Sequence, residues 1–199
     1  MVRGLLAAAV LLGAPAEVSA QAINWEGAGG DMFGRSYEVG EASLETGDDP
    51  RLASLSQPFG EAVAEAAERH GLDPKLLHAL VMTESAYRPD AFSPAGAAGL
   101  TQLMPGTALD LGVRNRFDPV ENLRGGADYL ARQIIRFGDL RLALAAYNSG
   151  PGRVARLGRV PDIAETRAYV VTVIDCYLAL TAGRSVTNAR QCRSEGAAP

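Results

Sequence analysis

Asp73-Pro74-Lys75-Leu76-Leu77-His78-Ala79-Leu80-Val81-Met82-Thr83-Glu84-Ser85 is the stretch on which the fold reading turns. Asp73 before Pro74 is a helix cap followed by proline at the first helical position, where a missing N–H costs nothing. The helix is predicted to run through about Ser85. Leu76, Leu77, Leu80, Val81 and Glu84 recur at helical spacing and share one face. That face is apolar except for Glu84 at its C-terminal end. Desolvation on such a face raises a carboxyl pKa. The helix dipole disfavours a negative charge there and pushes the same way. A carboxylic acid that keeps its proton near neutral pH can act as a general acid. The alternative is a stripe that simply ends, with Glu84 turned to solvent or paired with Arg88.

The pattern on both sides is helix and turn. Residues 58–70 read as an Ala/Glu-rich helix ended by Gly71. Pro105 opens a short helix that stops at Gly112. Asp118-Pro119 repeats the cap-and-proline signal and opens a long helix to Phe137, with Gly138 behind it. Residues 139–147 and 165–182 read as two more helices. No stretch alternates as a half-buried strand would, so the expected fold class is all-α, with no internal repeat. Two long Gly/Pro-rich loops are expected, 87–103 and 148–164. They contain Phe92, Leu100, Leu103 and Val154, which predicts ordered loops wrapped around something. Gly125-Gly126 inside the long helix predicts tight helix–helix packing.

The chain has 199 residues, 47% of them hydrophobic and 21% charged, with a formal net charge of −4. That length suits one domain, and the apolar content excludes wholesale disorder. A net acidic chain lacks the electrostatic footprint of a general nucleic-acid binder. Two cysteines are too few for a disulfide scaffold or a four-cysteine zinc site. His70 and His78 fall on different predicted helices without a nearby Cys or carboxylate pattern. A surface or helix-end role is expected for them, and no metal or cofactor.

Residues 1–20 read as a secretory signal peptide: Arg3, an apolar run from Leu5 to Leu12, and Val18-Ser19-Ala20 ahead of the cut. The run is too short to span a bilayer. The mature chain is expected in the periplasm, without a membrane span. Residues 21–57 are acidic and Gly-containing and read as a flexible leader. Trp25 in it is expected to pack on the domain, the alternative being an anchor for a partner. The helical domain is placed at 58–183 and a polar tail at 184–199. Export makes a Cys176–Cys192 disulfide an expectation, with two free thiols as the alternative.

Glu84-Ser85 is followed by Ser93-Pro94-Ala95-Gly96-Ala97-Ala98-Gly99-Leu100-Thr101-Gln102-Leu103-Met104-Pro105. Further on come Ala146-Tyr147-Asn148-Ser149-Gly150-Pro151-Gly152-Arg153-Val154 and Glu165-Thr166-Arg167-Ala168-Tyr169-Val170. These three blocks, in this order, resemble the signature of the SLT-type lytic transglycosylases of the goose-type-lysozyme-like superfamily. The resemblance covers about residues 58–180. One departure is Thr101, where that family usually has Met, which puts in doubt a contact in the sugar groove. Another is the short stretch between Val154 and Glu165.

The resemblance implies a lysozyme-like helical domain with a substrate cleft. The implied substrate is peptidoglycan, cut at the β-1,4 bond from N-acetylmuramic acid to N-acetylglucosamine. The implied chemistry is non-hydrolytic, with Glu84 as the sole general acid and base and 1,6-anhydromuramoyl ends as products. Ser85, Gly99, Gln102, Met104, Tyr147, Asn148, Glu165 and Tyr169 carry over as substrate-binding or cleft residues. Tyr147 is expected to position the acid or the acetamido group through its hydroxyl. Glu165 and Tyr169 are expected to share one face of the last helix. A hydrolytic muramidase would instead need a second carboxylate, for which Asp90, Asp110 and Asp118 are available. A non-catalytic wall-binding component is the reading from another class. The small size also resembles specialised members that open the wall for a type IV secretion or conjugation apparatus, which is the expected partner machine.

Overall fold

The computed structural model describes residues 58–193. The signal segment, the leader with Trp25 and residues 194–199 of the tail lie outside the described residues. Among the described residues the order is α1 (Gly60–Arg69), α2 (Pro74–Ser85), α3 (Pro105–Asp110), α4 (Pro119–Phe137), α5 (Leu140–Ser149), α6 (Pro151–Leu157) and α7 (Ala164–Thr181). A 3-10 turn at Ala189–Gln191 follows. There is no named strand among them; the loop 87–103 carries two isolated bridges, Phe92 with Ala98 and Ala98 with Leu103. None of these helices is long and apolar enough to cross a membrane.

Asp73 and Asp118 cap their helices as the sequence implies, and Asp139 is a third cap. Asp73 accepts from the Lys75 amide at 2.8 Å, Asp118 from Glu121 at 2.8 Å and Asp139 from Leu142 at 2.9 Å. Each satisfies an amide that the first helical turn leaves unpaired. The second carboxylate oxygen of Asp73 accepts from Tyr177 at 2.9 Å, which pins the C-terminal half of α7 to the start of α2.

The α2 helix is buried more completely than a one-face stripe predicts. Leu77, Ala79, Leu80 and Val81 are fully enclosed, and so is His78. A helix apolar nearly all round is the centre of a core rather than one of its walls. It packs against α1 and α7, while α4 packs against α1 and α5. His78 is therefore not a surface or helix-end residue. Its Nδ1 is hydrogen-bonded by the Tyr87 hydroxyl, and burial pushes it down to about 4, so it stays neutral. His70 does sit at a helix end, as the C-cap of α1.

Two further readings are corrected. The segment 148–164 is not one long loop, because Gly150 and Pro151 open α6, whose Val154 is fully buried. A seven-residue helix with one buried apolar position has too little periodicity to stand out. Gly125 and Gly126 do not bring two helices together. A Cβ on Gly125 would meet Val113 and Leu103, and one on Gly126 would lie 2.4–2.5 Å from Thr101. Gly126 lets the loop ahead of α3 lie directly on α4, and Gly125 makes room for Val113 behind α3 and Leu103 ahead of it.

Residues read as the start of a polar tail lie against the domain: Val186 is 4% exposed and Cys192 2%. Cys192 is disulfide-bonded to Cys176 of α7. A bridge spanning 16 residues stabilises by about 3 kcal/mol through loop closure in the unfolded chain. Reduction is expected to lower the unfolding free energy by that amount, read from urea unfolding curves with and without a reductant.

Candidate active site

Glu84 is the last-but-one residue of α2, partly exposed at the surface but set mostly within protein. Its partner is neither solvent alone nor Arg88, whose Nε donates to the Ser85 carbonyl at 3.2 Å. Instead the Tyr169 hydroxyl, from the first half of α7, donates to Glu84 Oε1 at 2.7 Å. Burial raises the Glu84 pKa, the Tyr169 hydrogen bond lowers it and the charge of Glu165 raises it, leaving it at about 7. Burial outweighs the bond because one hydroxyl replaces only part of the carboxylate's lost hydration.

The tyrosine itself remains a donor. Burial first, then the neighbouring Glu84 charge, pushes its phenol well above the ordinary range. An acid near 7 beside a permanent donor can release and recover a proton around neutral pH. Tyr169→Phe is expected to raise the Glu84 pKa above about 7, because the lost bond favours the ionised form. Carboxyl ¹³C chemical shifts titrated against pH read this directly.

Tyr147 takes a different part from the one expected. Its hydroxyl donates to the Thr101 carbonyl at 2.9 Å rather than to the acid. Its ring packs on Tyr129 with centroids 5.1 Å apart. The phenol that touches the acid comes from α7, and the four-residue spacing of Glu165 and Tyr169 was the available signal for it.

Gln102 stands in a left-handed backbone conformation, φ 50°. Its Nε2 donates to Gly99 O at 2.8 Å and Ala91 O at 3.2 Å. Two acceptors around the nitrogen fix the amide orientation and leave Oε1 free to accept. Asn148 Oδ1 accepts from Thr166 Oγ1 at 2.9 Å, tying the end of α5 to α7. Met104 is 43% exposed and so is not a core filler. Glu165 is exposed in the first turn of α7.

The matching family model is the Transglycosylase SLT domain, over residues 61–170. The chain belongs to the SLT transglycosylase family. The transglycosylase of Enterobacteria phage PRD1 is 46% identical over 109 residues, 55% of this chain and 39% of that protein. Membrane-bound lytic murein transglycosylase F of Desulfosudis oleivorans is 40% identical over 111 residues, 52% of this chain and 24% of that one. Among solved structures, an inactive glutamate-to-glutamine mutant of lytic transglycosylase Slt from Pseudomonas aeruginosa superposes with a TM-score of 0.57. It is 30% identical, over 65% of this chain and 24% of that one. The chain spans less than half the length of these relatives. The fold is thus the lysozyme-like helical one of the lytic transglycosylases.

Within this SLT domain, two residues carried over from the family pattern, and the one that departs from it, are buried in the protein. Ser85 is 2% exposed and its hydroxyl donates to Val81 O at 3.2 Å, within its own helix. Gly99 is buried: its amide donates to Ala91 O and its carbonyl accepts from Gln102. A Cβ there would fall 2.0 Å from Arg116 O and 2.3 Å from Asn122 Nδ2. Thr101, the departure from the family pattern, points into the core on Gly126 and Asn122. It alters no sugar contact of its own side chain. Of the aspartates available as a second carboxylate, Asp118 is occupied as a helix cap. The carboxylate whose charge reaches Glu84 is Glu165.

Proposed function

We propose that the chain is a peptidoglycan lytic transglycosylase in which Glu84 is the sole general acid and base. The observation that carries this is Glu84 held at about 7 under the hydroxyl of Tyr169. Protonated Glu84 gives its proton to the glycosidic oxygen between N-acetylmuramic acid and N-acetylglucosamine as that bond breaks. The muramoyl N-acetyl oxygen attacks the anomeric carbon and holds it as an oxazolinium ion. The Glu84 carboxylate then takes the proton of the same sugar's 6-hydroxyl, whose oxygen displaces the acetamido oxygen and closes the 1,6-anhydro ring. The acid ends protonated, and no water enters. A group near pH 7 suits both halves of that cycle. Gln102 Oε1, Met104, Asn148 and Glu165 line the path of the sugars in this reading.

Support comes from family membership and from the solved relative that a single glutamate-to-glutamine change leaves inactive. Mass analysis of digested peptidoglycan tests the chemistry. Anhydromuramoyl ends, lighter than reducing ends by one water, are expected. Reducing muramic ends would establish hydrolysis instead. The proposed setting is the periplasm after cleavage behind Ala20, which sequencing of the exported protein's N-terminus checks. Opening the wall for a secretion or conjugation apparatus is the proposed context, checked by transport in a deletion strain.

A further inference from the structure

Asn122 lies on α4 and is a fully enclosed polar side chain with every bonding position used. Its Oδ1 accepts from the Thr101 amide at 2.8 Å and from Thr101 Oγ1 at 2.8 Å. Its Nδ2 donates to Ala98 O at 3.0 Å and Arg116 O at 2.8 Å. A buried amide with three of its four positions met by the loop ahead of α3, and the fourth by Arg116 beyond α3, acts as a template for that loop, since any shift strands a buried polar atom.

The loop needs a template. Gln102 follows Thr101 directly and holds a left-handed backbone, which a non-glycine residue adopts only under constraint. Gly99 has no side chain where Asn122 presses against it, and Gly126 has none where Thr101 does. Arg116 closes the far side, its guanidinium donating to Gly96 O at 2.6 Å and Leu103 O at 2.9 Å. Tyr147 holds the Thr101 carbonyl. Thr101 is thereby gripped at its amide, hydroxyl and carbonyl, and the next residue, Gln102, has little freedom left. A methionine at 101 would supply no hydroxyl to Asn122, so one of these bonds belongs to this chain's own departure from the family pattern.

We propose that Asn122 and Thr101 are positioning residues that act through Gln102, setting its free Oε1 toward the glycan and so determining how tightly the strand is held. This rests on the glycan-binding reading of the cleft. The loss expected on disturbing the pair is in ground-state binding, a KM effect with kcat kept, because Gln102 is not bonded to Glu84.

The test uses the full chain and soluble uncrosslinked peptidoglycan strands, with rates normalised to folded protein. Thr101→Val keeps the shape and removes the hydroxyl. It is expected to raise KM about threefold at constant kcat, and Thr101→Ser to restore it. Asn122→Asp, which removes both Nδ2 donors, is expected to raise KM about tenfold. On a Gln102→Ala background Thr101→Val should add nothing further, since the group it positions is gone. A lowered melting temperature with unchanged KM overturns the proposal, as does a KM effect of equal size with and without Gln102. The Gln102 side-chain amide resonances give a readout that needs no glycan. They are expected to move to free-amide positions and exchange faster in Thr101→Val; unmoved resonances overturn the proposal. Wild-type protein that leaves the strands uncut fails the functional reading, while the resonances still judge the positioning claim.

Discussion

Glu84→Gln is expected to lower peptidoglycan cleavage by about 10³-fold while making the folded protein more stable above neutral pH. Glutamine has the shape of the acid but no proton to give, so the rate falls through chemistry and not through lost structure. The stability gain follows from linkage. The folded-state value is raised to about 7 against an ordinary 4.5, so between those values the native state holds a proton that the unfolded chain has released. Stability from this group is fully present below 4.5 and falls as pH rises to 7. Above 7 the wild type carries a desolvated carboxylate that costs about 3 kcal/mol, which the variant avoids. Melting curves of both proteins at pH 4.5 and pH 8 check this: they should coincide at the lower pH and separate at the higher. Equal melting temperatures at pH 8 would show that the acid is not desolvated. His78 titrates in the opposite sense, its depressed value of about 4 removing stability as pH falls from the unfolded value of 6.5. The two trends offset each other in the wild-type profile, so the difference between variants isolates Glu84.

Gly99→Ala is expected to cost about 4 kcal/mol or more. The position combines a φ of 80° with a Cβ direction that ends 2.0 Å from a backbone oxygen, Arg116 O, and 2.3 Å from Asn122 Nδ2. A backbone atom cannot rotate away as a side-chain tip can, so the loop must leave α4. Gly96→Ala is the control. Gly96 also has positive φ, 93°, but nothing lies within 4 Å of its Cβ direction, so only the conformational cost of about 1 kcal/mol remains. Urea midpoints of the two variants should differ by the steric part alone. Similar midpoints would show that the loop is free to move off the helix.

The resemblance of the motif blocks pointed to Gln102 and Gly99 as groove residues of one kind, yet their neighbours divide them. Gln102 keeps an acceptor free, whereas Gly99 has both backbone groups committed and its open side filled by Asn122. A sequence motif marks a stretch that must keep its shape. It does not separate the residue that touches a ligand from the one that allows the turn. Tyr147 and Tyr169 raise the same difficulty: both are buried phenols near Glu84, and only one donates to it.

Local chemistry was enough for two of the helix starts. Helix starts at Asp73 and Asp118 are set by side chains that satisfy amides two or three residues away, so they are legible one segment at a time. The apolar spacing of α2 put Glu84 at the end of an apolar face but left open a carboxylate turned to solvent or paired with Arg88; the bond from Tyr169 and the burial around it decided between them. What only the tertiary structure decided is which distant groups meet. Tyr169 reaches Glu84 across 85 residues, and Tyr147 reaches Thr101 across 46. Asn122 reaches the Thr101 amide across 21. Such contacts depend on how α2, α4, α5 and α7 pack, and packing depends on the shape of every side chain in the core at once. Spacing along one helix carries the periodicity of that helix and nothing about the face its neighbours present.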